Sequence, residues 1–145
     1  MPQLETKPFG SIEVGEDKIL EFPEGILGFE SYRRFAILEE KEGPFHWLQS
    51  ADESGLAFIV LRPELILKDY NPVVLDMELQ ALQVENVSDC EIFLIVTIPG
   101  DHPEKMTANL QGPILINRAA RLARQVISMH EDHLVRVPIL ELLEA

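Results

Sequence analysis

The side chains able to do chemistry in this chain are four histidines, one cysteine and 25 carboxylates, and their spacing decides what they can do. A metal site needs deprotonated ligands converging at short range, and the best local set is His130-Glu131-Asp132-His133, with His102 elsewhere. HxxH brings two imidazoles to one ion only where the backbone turns suitably, and the i, i+4 spacing of HExxH is absent. A polar turn ahead of the last strand is the better reading. Cys90 sits between Asp89 and Glu91, whose charges disfavour the thiolate that a nucleophile requires. No GxSxG occurs, and the serines lie mostly among turn residues. With so many acids, pairs at general acid–base spacing arise by chance. The stretch Phe22-Pro23-Glu24-Gly25-Ile26-Leu27-Gly28-Phe29-Glu30 is glycine-containing but lacks the Lys and Ser/Thr of a phosphate-binding loop. Its glycines are expected to serve tight turns with positive φ. Arg118, Arg121 and Arg124 have no aromatics interleaved for base stacking, so their expected use is to neutralise neighbouring acids. The expectation is a protein that binds other proteins, without catalysis, cofactor or metal.

The elements that must position these residues read mainly as strands. Ile12 and Val14, Leu20 and Phe22, Phe35 and Ile37, and Phe45 and Trp47 show the period of two of half-buried strands, the last ending at a polar Gln49-Ser50. Leu56 to Leu61 and Ile92 to Ile98 are apolar at nearly every position and rich in β-branched residues, the pattern of central strands covered on both faces. Frequent Gly and Pro leave few windows for helices. One is Asp76 to Leu82, with Asp76 placed to cap and Leu75, Leu79 and Leu82 at helical spacing. The alanines of Arg118 to Arg124 favour helix while Ile114 to Ile116 and Gln125 to Ile127 favour strand; a turn between two strands is preferred. Ile139 to Leu143 frames a final helical turn or a docking tail. These patterns predict one domain over residues 1–145, mainly β: a closed or nearly closed antiparallel barrel with one or two short helices.

Composition agrees with a folded binding protein. The chain is 46% hydrophobic and 26% charged, and 12 basic against 25 acidic residues leave a net charge of -13. Such a field repels phosphate backbones and anionic lipid and attracts basic partners. Neither direct nucleic-acid binding nor membrane association is expected. The first ten residues contain no apolar core of a signal peptide, the longest apolar run is far short of the roughly 20 residues of a spanning helix, and a lone cysteine suits a reducing compartment. A cytoplasmic location follows as the expectation.

Four stretches, in order, resemble the FliW family of bacterial flagellar assembly factors. They are Phe22-Pro23-Glu24-Gly25-Ile26 with Gly28-Phe29-Glu30; Trp47-Leu48-Gln49-Ser50 with Ala57-Phe58; Met106-Thr107-Ala108-Asn109-Leu110 with Pro113-Ile114 and Ile116-Asn117; and Gln125-Val126-Ile127 before Arg136 and Pro138. The sequence departs from the family pattern at Leu27, where Pro is frequent, at Gly112, where Ala is common, and at His133, where Tyr is usual. The resemblance implies a barrel-like fold and two partners, flagellin and the CsrA-type RNA-binding translational repressor. It further implies a switch: flagellin sequesters the factor, and flagellin export frees it to bind the repressor away from its RNA site and relieve repression. Candidate partner contacts are Met106, Asn109, Leu110, Asn117, Gln125, His133, Arg136, Asp69, Tyr70 and Glu78. Apolar and amide groups of Met106 to Asn109 are expected to grip flagellin, although the amides of Asn109, Asn117 and Gln125 are equally suited to satisfying local backbone groups. The alternatives are a generic flagellin export chaperone and a small hydrolase or sugar-binding barrel.

Overall fold

Runs of β-branched and aromatic residues between turn-formers set the strands, and the computed structural model describes residues 3–144. In chain order these are β1 (Gln3–Thr6), β2 (Gly10–Glu13), β3 (Ile19–Glu21), β4 (Arg34–Leu38), β5 (His46–Ser50), β6 (Ala57–Leu61), helix α1 (Asp76–Ala81), β7 (Glu91–Thr97), β8 (Thr107–Ala108), β9 (Ile114–Asn117), β10 (Leu122–Gln125), β11 (Val137–Pro138) and helix α2 (Leu140–Glu144). Strands β3 to β7 form an antiparallel meander, β9 returns antiparallel to the first half of β7, β10 pairs with β9, and β10 meets β3. Seven strands thus close a barrel, which removes the free edges of an open sheet. The closing contact is parallel, through the single pair Leu122 and Glu21, where all pairings were expected to be antiparallel.

The barrel interior is filled by Leu20, Phe22, Ile26, Phe35, Leu48, Val60, Phe93, Ile114, Ile116 and Ala123. Three further clusters coat its outside. The β1–β2 hairpin lays Leu4 and Val14 over Ala36 and Leu38 of β4. Helix α1 and its C-cap lay Leu79 and Leu82 over Leu115 and Val126. The β8–β11 flap and the segment leading into α2 bury Met106, Ala108, Leu110 and Ile139 over Leu61, Leu94 and Val96. Two-sided coverage is why β4, β6 and β7 carry apolar residues at nearly every position.

Several local expectations are corrected. Gln49 and Ser50 do not end β5 in solvent; both are buried within it. The Gln49 amide nitrogen faces the carbonyls of Ser50, Glu53, Ser54 and Leu56 at 3.0–3.4 Å, and its oxygen accepts from the Lys7 N–H at 2.8 Å. It therefore ties the following turn and the N-terminal hairpin to the barrel. Asp76 is not the cap of α1: Leu75 occupies that position, its side chain exposed, and Asp76 begins the first turn. There its charge still favours the positive end of the helix. The turn expected over Arg118 to Arg124 is confined to Arg118 to Arg121, with Arg121 at φ 55°; Leu122 to Gln125 pair with β9 as β10, which stops short of Ile127. Among the described residues no helix is long and apolar enough to cross a membrane.

Candidate protein-interaction site

One fork in the sheet organises most of the candidate residues. The second edge of β7 is shared: Glu91 to Phe93 pair with β9, whereas Val96 and Thr97 pair with β8. Residues 107–117 are in effect one edge along β7 whose register slips between its halves, and residues 109–113 bulge out at the slip. The Asn109 N–H still donates to the Ile95 carbonyl at 3.0 Å, and the Asn109 side-chain oxygen accepts from the N–H groups of Gln111 and Gly112 at 3.0 and 2.9 Å. The Gln125 amide closes the other side, donating to the Gly112 carbonyl at 3.2 Å and accepting from the Leu27 N–H at 2.9 Å. A Cβ on Gly112 would lie 3.0 Å from both amide nitrogens, so those side chains would have to give way to an alanine there.

Below the bulge the Tyr70 hydroxyl donates to the Leu110 carbonyl at 2.7 Å, and its ring stacks on His133 at 4.5 Å. His133 is only 4% exposed; its Nδ1 lies 2.7 Å from the Ser128 hydroxyl, and its far face stacks on His130 at 4.3 Å. Burial pushes the His133 imidazole below its usual range, the neighbouring His130 adds to this, and Asp132 opposes it. Burial likewise pushes the Tyr70 phenol up. The Ser128 hydroxyl also accepts from the backbone of Val73 and His130. The pair is thus a brace between residues 70–73 and 128–133, with His133 buried and Tyr70 half-buried. Among the described residues no group of three or more His, Cys, Asp or Glu converges as metal ligands.

The fold brings Asp69, Tyr70, Asn109, Leu110 and His133 to this region, with Met106 buried against the same outer cluster as Leu110. Asp69 and Arg136 are exposed. Gln125 joins them through the bulge. Glu78 stands on the Gln125 side, lining one depression with Leu27 and Gln125, and receives both Nε and Nη2 of Arg124, at 3.2 and 3.0 Å. Asn117 is separate, donating to the Leu82 carbonyl at 2.8 Å and accepting from the Ala120 N–H at 3.4 Å. All three amides therefore have backbone partners.

The arginines largely serve carboxylates. Arg118 and Arg62 converge on Glu91 and Glu39, with Arg62 also over the Phe93 ring at 4.7 Å from its centroid. Burial pushes the Glu91 carboxyl up, but the hydrogen bonds and charges of Arg118 and then Arg62 outweigh it and hold the carboxyl below its usual range. Arg124 bridges Glu78 and Glu24, and Arg34 meets Asp52. Burial and then the charge of Asp89 push the Cys90 thiol up, which keeps it protonated and unreactive.

Sequence reasoning missed a set of exposed apolar side chains next to the bulge: Leu27, Val73, Leu75, Met77, Ile127 and Met129. Alternation of Val126 and Ser128 with Ile127 and Met129 was the available signal, but parity alone does not say which pair faces inward.

The FliW protein family model matches residues 3–139 of this chain. The chain belongs to the FliW family. A flagellar assembly factor FliW of Leptospira biflexa is 51% identical over 142 residues, covering 97% of this chain and 93% of that protein. The FliW of Leptospira interrogans serovar Lai is 48% identical over 96% of this chain and 93% of its own length, and that of Thermoanaerobacter pseudethanolicus 40% over 98% and 95%. A crystal structure of the flagellar assembly factor FliW superposes with a TM-score of 0.86 at 32% identity, covering 94% of this chain and 96% of that one. The mainly β barrel with two short helices is therefore the FliW fold. These relatives are named for assembly, a role that calls for binding surfaces and no catalytic centre.

Proposed function

We propose that this FliW-family chain is a cytoplasmic, non-catalytic regulator with two protein partners. It binds flagellin, and when free of flagellin it binds a CsrA-type translational repressor away from the repressor's RNA site, relieving repression of flagellin synthesis. The observation that carries the reading is the combination of family membership with a net charge of -13. A protein that grips RNA phosphates must present Lys and Arg, and an acidic partner meets such a surface with complementary potential.

Competition calorimetry tests the switch. The protein is titrated with purified repressor alone and after saturation with flagellin. Flagellin-loaded protein is expected to lose repressor binding, and unchanged repressor affinity would overturn the switch. Association rates measured between low and physiological salt test the electrostatic component. They are expected to fall as the screening length shortens to about 8 Å; salt-independent rates rule that component out. Flagellin binding without any repressor binding would leave a dedicated export chaperone.

A further inference from the structure

The exposed apolar side chains beside the bulge form one strip. Leu27 and Ile127 line a shallow depression of about 290 Å³ together with Glu24, Glu30, Glu78 and Arg124. Ile127 and Met129 project outward from one extended segment whose alternate residues, Val126 and Ser128, are buried. The Met129 N–H donates to the Val73 carbonyl at 2.7 Å, which sets Val73 beside it, and Leu75 and Met77 continue from there into α1. Leu27 is 76% exposed, Met77 65% and Met129 61%. Together the six side chains offer on the order of 600 Å² of surface, at the upper end of what single domains leave uncovered.

The strip is built to stay exposed. Leu27 sits at the tip of a turn fixed by the Ile26–Phe29 bridge and by the Gln125 amide, and Met129 sits on the segment braced by Ser128 and His133. Neither residue can fold into the core without breaking those bonds. With the backbone already held, covering the strip orders side-chain rotamers but little main chain.

Its rim decides what covers it. Glu24, Glu30 and Glu78 border one end; Asp76 precedes Met77, and Glu131 and Asp132 follow two and three residues after Met129. Arg124, which lines the depression, is already held by Glu78 and Glu24. A second copy of this chain would bring like charge against like, and an anionic lipid surface would be repelled.

We propose that this strip is the docking face for a cationic amphipathic segment of a protein partner, with apolar side chains on Leu27, Ile127 and Met129 and flanking Lys or Arg over the acidic rim. The inference deepens the function proposed above and rests on it for the partner's identity: of the two partners, the RNA-binding repressor supplies the positive charge. Flagellin then engages residues outside the strip.

The test uses the full chain and the double variant Ile127→Ser/Met129→Ser, with unfolding midpoints confirming that both are folded, in calorimetric titrations with purified repressor and with flagellin. Repressor affinity is expected to fall tenfold or more while flagellin affinity is unchanged. Unchanged repressor affinity in the folded double variant overturns the inference, as does equal loss of both partners. Should the wild-type chain not bind repressor at all, the repressor half of the function fails separately. The strip is then tested with a synthetic Leu/Lys amphipathic helix of about 18 residues, five turns long. Binding by the wild type, with tenfold loss in the double variant and none of it for a scrambled peptide, supports the docking face. Equal binding by both proteins overturns it.

Discussion

Two glycines three residues apart allow a sharp test of what holds the Leu27 turn in place. Gly25 and Gly28 both have positive φ, 68° and 87°. An alanine at either position must adopt the left-handed conformation, at a cost of about 1–2 kcal/mol. Their surroundings differ. A Cβ on Gly28 would meet nothing within 4 Å, so Gly28→Ala is expected to cost only that conformational term. A Cβ on Gly25 would lie 2.5 Å from the Glu30 Cα and 2.8 Å from the Glu30 carbonyl oxygen, both backbone atoms that no rotamer change can remove. The turn would have to open, straining the bonds from Gly25 N–H to Phe22 at 2.8 Å and from Phe29 N–H to Ile26 at 2.6 Å. At about 1 kcal/mol for each bond lost, Gly25→Ala should cost about 3–4 kcal/mol. In urea unfolding the midpoint should fall at unchanged m-value for both variants. At about 2–4 °C per kcal/mol, the melting temperature should drop by about 2–8 °C for Gly28→Ala and about 6–16 °C for Gly25→Ala. Equal destabilisation of the two variants would refute the steric argument.

Gln49→Leu removes the amide that serves several buried carbonyls and the Lys7 N–H, and should destabilise by about 3 kcal/mol, with faster amide exchange at Lys7 and around residues 50–56. The His133 imidazole is held below its usual range, so the unfolded chain binds the extra proton first. The stability difference between wild type and His133→Phe should be constant above about pH 6.5 and shift against wild type as pH falls through the folded value; a flat difference from pH 7.5 to 5 would contradict this. The Glu91 carboxyl is also held low, so its contribution is fully present above its unfolded value of 4.5 and lost as pH falls below that. Glu91→Gln should therefore cost about 1–2 kcal/mol at neutral pH in urea titrations and little below about pH 3.

Strand composition carried most of the barrel. Leu56 to Leu61 and Ile92 to Ile98 read as covered on both faces, and they are, because residues distant in sequence coat the outside. What coats them was less legible. Strand β1 has only one buried apolar residue, Leu4, beside the buried Thr6, too short a signal to register, and its role comes from pairing with β2 and packing on β4. The ring closure at Leu122 and Glu21 is a tertiary event with no local sequence mark. Gln49 looked like the end of a strand because a buried amide is recognisable only once its carbonyl partners are in place. The candidate site was legible as a region: Asn109, Leu110, Tyr70, His133 and Gln125 do meet at or beside one bulge. The exposed Ile127 and Met129 were not, since alternation gives a parity and leaves the facing to the rest of the fold.

The place where the ring closes sets a timetable for the chain as it is made. Strands β3 to β7 are complete at Thr97, but the segments that join β7 back to β3 end at Gln125. Translation at about 5–20 residues per second leaves an interval of a few seconds in which a curved five-stranded sheet stands open with two unpaired borders. Each border can recruit a strand from a neighbouring nascent chain. Synthesis that terminates before Leu122 therefore yields an adhesive open sheet in place of a shortened barrel, and residues 114–125 act as the clasp that makes the earlier strands safe.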